Sequence, residues 1–260
     1  MNFKTLLMLA AVGAVSASEA AVTSANTLCR IKVDSSAAST IVSLPLESVG
    51  ATTRQIKVTE LVMTDNLTVG DSLLVPNGTS WYAWKIVESG GKKVWESTTS
   101  VDGYKSITAP AAGETPLYCG GAVWLNRQSV SAPFYLYGQL VAPSTATETS
   151  AVAGEASAPA YTMMGNPHPE ALSLNEMTYK AGTAPGTGDK IVVPADNAFG
   201  YSEYQWQVDA QTSQPAWCVR QRYTESDGTR RIGYVAADVS IEPGKGFWYV
   251  SLGGSPTVVW

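Results

Sequence analysis

Histidine is almost missing from this chain: His168 is the only one in 260 residues. That excludes a two-histidine metal site and leaves room for at most one histidine-dependent triad. Cysteine is sparse as well. Cys29, Cys119 and Cys218 allow one disulfide, leave one thiol over, and do not by themselves fix the pairing. With no CxxC and no Cys/His cluster, neither a structural zinc nor another cofactor is expected. Basic runs are absent, and a formal net charge of −5 gives no electrostatic footprint for nucleic acid. No serine nucleophile elbow and no Gly-rich phosphate loop occurs.

Long apolar runs are also lacking. The longest, Leu6 to Val15, follows Lys4 and precedes small residues. It falls short of the ~20 residues that span a bilayer and reads as a secretory signal over residues 1–20. The mature chain is therefore expected to be secreted, periplasmic or on the outer cell surface, with no membrane span after signal removal.

What is present is one unit written twice. Val69-Gly70-Asp71-Ser72-Leu73-Leu74-Val75-Pro76 resembles Thr187-Gly188-Asp189-Lys190-Ile191-Val192-Val193-Pro194. Tyr82-Ala83-Trp84-Lys85 resembles Tyr204-Gln205-Trp206-Gln207, and Trp95 pairs with Trp217. Gly121-Ala122-Val123-Trp124-Leu125 resembles Gly246-Phe247-Trp248-Tyr249, with one residue more in the first copy. The expected layout is a lead-in strand in 21–36, a first repeat at 37–140, an Ala/Ser/Thr/Pro linker or loop at 141–158, and a second repeat at 159–260.

Within each copy, β-branched and aromatic runs are punctuated by Gly, Pro, Asn and Asp every 8–12 residues or so, which predicts an all-β fold. Lys85 to Glu96 predicts a hairpin turning at Ser89-Gly90-Gly91, and Pro169 to Met177 is the one helical candidate. Two small β domains and one pseudo-symmetric sandwich or barrel are both compatible with the repeat.

In the second copy, Gly165-Asn166-Pro167-His168-Pro169 and Pro243-Gly244-Lys245-Gly246-Phe247-Trp248-Tyr249 make the chain resemble a family of exported, two-repeat β proteins of Verrucomicrobia, the group that includes Akkermansia. The first copy departs from these signatures at Leu44-Pro45-Leu46 and at Cys119 to Leu125. The resemblance implies export and a repeat-built β fold, and it carries no catalytic residue.

Two chemistries follow from the residues. A duplicated β fold can bring one carboxylate per copy to a two-fold axis, where the pair shares a proton and one group activates water. Asp71 and Asp189 hold equivalent positions for this, with Asp34 in Val33-Asp34-Ser35 as substitute. Neither is followed by the Ser/Thr-Gly of pepsin-like enzymes, and Gly-Asp is also an ordinary turn that caps a strand entry. The second chemistry is aromatic. Eight Trp and twelve Tyr stand against four Phe, and such rings suit sugar faces as well as cores. Trp81, Tyr82, Tyr201 and Tyr204 are the candidate contacts.

These readings predict an exported or surface protein that binds host or environmental glycoprotein or glycan. The alternatives are an aspartic-type peptidase degrading mucin-like glycoprotein and a structural envelope component.

Overall fold

The computed structural model describes residues 28–33, 38–47, 55–61, 67–77, 80–101, 104–105, 116–118, 120–129, 133–140, 148–195 and 200–260. Residues 1–20, expected to be a secretory signal, lie outside the described residues, as do Asp34 and Cys119. The first copy comprises β1 (Leu28–Val33), β2 (Ser39–Ser43), β3 (Leu46–Glu47), β4 (Gln55–Lys57), a helical turn α1 (Val58–Leu61), β5 (Ser72–Asn77), β6 (Ser80–Ser89), β7 (Lys92–Thr98), β8 (Ser100–Val101), β9 (Tyr104–Lys105), β10 (Pro116–Tyr118), β11 (Ala122–Asn126) and β12 (Phe134–Leu140). The second comprises β13 (Glu148–Ser150), β14 (Gly154–Gly165), β15 (Leu172–Ser173), β16 (Thr178–Tyr179), β17 (Lys190–Pro194), β18 (Tyr201–Val208), β19 (Pro215–Thr224), β20 (Arg230–Ala236), β21 (Ser240–Ile241), β22 (Gly246–Gly254) and β23 (Thr257–Val259).

Each copy is a small two-sheet sandwich. In the first, the sheet β2-β11-β5-β6-β7 packs on β1-β12-β3. In the second, β14-β22-β17-β18-β19-β20 packs on β13-β23-β16. The period-2 pattern decides which side chains face inward. Val123 and Leu125 of β11 enter the first core, while Ala122 and Trp124 point to the opposite face. Phe247 and Tyr249 enter the second core, and Trp248 points outward. The predicted hairpin forms, turning at Gly90 and Gly91 with φ of +58° and +72°. Two positive φ values in a two-residue loop are what glycine supplies most cheaply.

The backbone corrects the internal alignment. The Ile86 amide donates to Asp71 O and the Trp206 amide to Asp189 O, both at 2.8 Å. Ile86 is thus the equivalent of Trp206, and Trp84 that of Tyr204, two residues away from the expected match. Trp95 opposite Ile86 and Trp217 opposite Trp206 keep their predicted equivalence. Ala122 opposite Ser43 corresponds to Gly246 opposite Gly165, so the first copy has no extra residue there.

The copies join reciprocally. The Ser43 amide donates to Gly244 O at 3.1 Å, and its equivalent, the Gly165 amide, donates to Gly120 O at 3.2 Å. Likewise Val42 bridges Lys245, and Met164 bridges Gly121. A contact repeated with its partners exchanged is the mark of a two-fold interface, here within one chain. Ile41, Ala122 and Met163 fill it. It admits almost no side chain on the second copy: a Cβ at Gly246 would lie 2.5 Å from Ile41 Cγ2, and one at Gly165 would overlap Ser43 Cβ.

Two further expectations change. Part of the 141–158 linker is folded into the second copy: Glu148–Ser150 pairs with β23, and Gly154 onward forms an exposed edge strand. The 169–177 helix is reduced to a single 3-10 turn, Leu174–Glu176, whose start supplies no side-chain cap bond. Among the described residues no helix is long and apolar enough to cross a membrane.

Candidate functional site: an aromatic and basic sheet face

Asp71 and Asp189 are both fully buried. Asp71 accepts from the amides of Thr68 (2.8 Å) and Gln128 (2.6 Å) and from the Thr68 hydroxyl (2.9 Å). Asp189 accepts from the amides of Gly186 (2.9 Å) and Leu252 (2.8 Å) and from the Tyr249 hydroxyl (2.8 Å). The two amide pairs are equivalent. In each copy the carboxylate ties the turn before a central strand to the exit of the neighbouring strand. No hydrogen bond joins the two carboxylates and no donor is shared. The preceding Gly70 and Gly188 have φ of +99° and +97°, a conformation open mainly to glycine. The third donor differs because Leu125 in the first copy replaces Tyr249 in the second.

Burial, the nearby Asp189 carboxylate and the bond donated to it all push the Tyr249 hydroxyl well above the usual tyrosine range. Tyr249 therefore donates to Asp189 throughout the physiological pH range.

Asp209 is a third anchor, fully enclosed at the β18–β19 turn. It accepts from the Thr212 hydroxyl and from the amides of Gln211, Thr212 and Ala236. Burial alone would raise its pKa, but these bonds outweigh it and hold the carboxyl below its usual range. A depressed folded-state pKa adds stability that is fully present above the unfolded value of about 4 and is lost as pH falls through the folded value. Replacing Asp209 by Asn is accordingly expected to flatten the acid side of the stability curve, read as the urea midpoint between about pH 2 and 6. An acid limb as steep as the parent's would contradict this.

His168 is half-buried, and its amide donates to Asn166 Oδ1 at 2.8 Å. Asn166 is fully buried and also donates to the carbonyls of Glu170 and Ile241. The Asn-Pro signature thus rigidifies a loop. Cys218 is buried in β19 and not disulfide-bonded, as is true of half-buried Cys29. Burial first, then Asp209, pushes the Cys218 thiol up to about 11, so it is a poor nucleophile. Among the described residues no group of His, Cys, Asp or Glu is placed to hold a metal ion.

The aromatic candidates separate by face. Tyr82 packs edge-on to Trp84, with ring centroids 6.1 Å apart, against the first core. Tyr204 packs against the second. Both sit on inward faces. Trp81 and Tyr201 point outward, Tyr201 with 69% exposure. Trp81 joins two residues whose only signal in the sequence is their equivalence in the repeat. Trp81, Trp124 and Trp248 form a triangle of edge-to-face indoles with centroids 6.2, 6.2 and 6.1 Å apart. Each such contact adds about 1 kcal/mol beyond area burial. Tyr161, 62% exposed, extends the triangle through Trp248 at 6.3 Å.

The pairing registers carry this face further. Trp248 is opposite Val192, Val192 opposite Glu203, and Tyr201 is two residues from Glu203. Gln205 is opposite Cys218, which places Arg220 and Arg222 on the same side, with Tyr234 and Ile232 opposite them. One side of the six-stranded sheet therefore runs from the indole triangle, which the first copy covers, to an open edge rich in arginine. No family model, curated protein or solved structure matches this chain.

Proposed function

We propose that this is an exported or cell-surface protein that binds glycoprotein or glycan on the outer face of its six-stranded sheet. The observation that carries the reading is the row Trp81, Trp124, Trp248 and Tyr161, which is rigid at the copy junction and open at Tyr161. Tyr161 and Tyr201 offer flat apolar faces with a polar handle at little ordering cost, the property that suits stacking on sugar rings. The half-buried indoles beneath Tyr161 hold it in place through mutual packing. Asp71 and Asp189 do not supply a competing reading, because every donor they accept from serves the sheet that holds them.

Tyr161 and Tyr201 are exposed enough to be removed without opening a core. The double variant Tyr161→Ala/Tyr201→Ala is expected to stay folded, losing no more than about 1 kcal/mol with the Tyr161–Trp248 contact, and to lose about tenfold or more in retention on immobilised neutral mucin-type glycoprotein. Unchanged retention would overturn the reading.

A further inference from the structure

Four of the seven arginines in this acidic chain lie between Arg220 and Arg231, on the two arms of the β19–β20 hairpin. They are not equivalent. Arg231 is opposite Tyr223, on the side of the inward-facing residues, and pairs with Glu225 at 2.7 Å. Arg220, Arg222 and Arg230 fall on the other side, all three exposed, and among the described residues none has an ion-pair partner. Arg220 and Arg222 are two residues apart on one strand, roughly 7 Å along it. Arg230 is opposite Thr224, hence diagonal to Arg222, at roughly the same spacing. Ile232 lies among them and is 62% exposed.

Like charges placed side by side on one sheet face work against the fold and are usually interleaved with acids. Here no acid is interleaved on that side of the hairpin: Glu203, on this face toward Trp248, is held by Lys190 at 3.0 Å, and Asp227 at the hairpin turn accepts from the Thr229 amide. The result is a stripe of planar forks, each suited to bidentate contact with an oxyanion, on the same side of the sheet as Tyr201.

We propose that the ligand of this face is an anionic polysaccharide, its sulfate or carboxylate groups seated on Arg220, Arg222 and Arg230 while sugar rings lie toward Tyr201 and Tyr161. This rests on the glycan-binding reading and names the ligand class. The three guanidinium groups supply charge and orientation, and Ile232 supplies an apolar floor between them.

The test measures binding of the full mature chain to dextran sulfate, polygalacturonate and uncharged dextran, for the parent, for Arg220→Gln/Arg222→Gln/Arg230→Gln, and for Arg231→Gln. Expected is tighter binding to one or both anionic polymers than to dextran, by about tenfold or more and weakening with salt. The triple variant should lose that margin while Arg231→Gln keeps it, with the triple variant's unfolding midpoint no lower than the parent's and that of Arg231→Gln close to it. The two anionic arms report whether sulfate or carboxylate is the preferred group. Equal binding of charged and neutral polymers, or a triple variant that keeps the margin, overturns this inference and leaves the glycan reading standing. No binding to any of the polymers, together with unchanged glycoprotein retention by Tyr161→Ala/Tyr201→Ala, overturns both. Binding of single-stranded DNA as tightly as the better anionic polymer also overturns it, since the face would then read charge and not sugar.

Discussion

A methyl group added at Gly165 is expected to destabilise the fold by about 3 kcal/mol, near the upper end of what overpacking costs. The new Cβ would overlap Ser43 Cβ and lie 2.6 Å from Ser43 Cα, which is backbone and cannot turn aside. Relief requires the two copies to separate, and that strains the Gly165 amide bond to Gly120 O and the reciprocal Ser43 bond to Gly244 O. Gly253→Ala is the control, because nothing lies within 4 Å of its added Cβ. Urea midpoints decide the matter: a large drop for Gly165→Ala and almost none for Gly253→Ala. Equal midpoints would mean that the junction is not the close contact described.

Removing the Asp189 carboxylate is expected to be as damaging. Asp189→Ala strands two amides and the Tyr249 hydroxyl in a dry site, and each buried donor without an acceptor costs about 1–3 kcal/mol, for a total near 4 kcal/mol. Asp189→Asn keeps one oxygen and should lose about half of that. The outcome separates two roles for the repeated aspartate. An anchor loses stability in both variants. A catalytic carboxylate would keep the fold in Asp189→Asn and lose acid-dependent proteolysis instead. Thermal and urea unfolding of both variants, beside a protease assay, distinguish the two.

Much of the fold was legible in residue pattern. The Gly-Asp turns mark equivalent strand entries in both copies because only glycine takes their positive φ comfortably, and the paired runs of period-2 apolar residues require strands. The misplaced Trp84 match has a physical reason. A slip of two residues leaves every side chain on the same face, so Trp84 and Trp206 both point inward and the pattern cannot tell them apart. Only the bond of Ile86 and of Trp206 to the turn carbonyl does. The proposed binding face was half legible. Trp81 and Tyr201 are legible as members of the two matching aromatic clusters, whereas Tyr82 and Tyr204, from the same clusters, are inward by strand parity. That Trp124 and Trp248 meet depends on how the two copies dock, which no local spacing encodes. Arg220 and Arg222 had a signal, the Arg-x-Arg alternation of a strand, but its meaning depends on Arg230 from the next strand and on which face is left uncovered.

The repeat-derived residues and the outer face thus divide the work. Aspartates, glycines and inward aromatics rebuild the sandwich twice, and side chains peculiar to the second copy's outer face are the ones the proposed recognition would use. Hydrogen exchange of the protein with and without mucin-type glycoprotein tests this most directly. Added protection is expected in β14 around Tyr161 and in β18, β19 and β20, with none at the turns bearing Asp71 and Asp189. Protection centred on those turns, or confined to the three-stranded sheets, would contradict it.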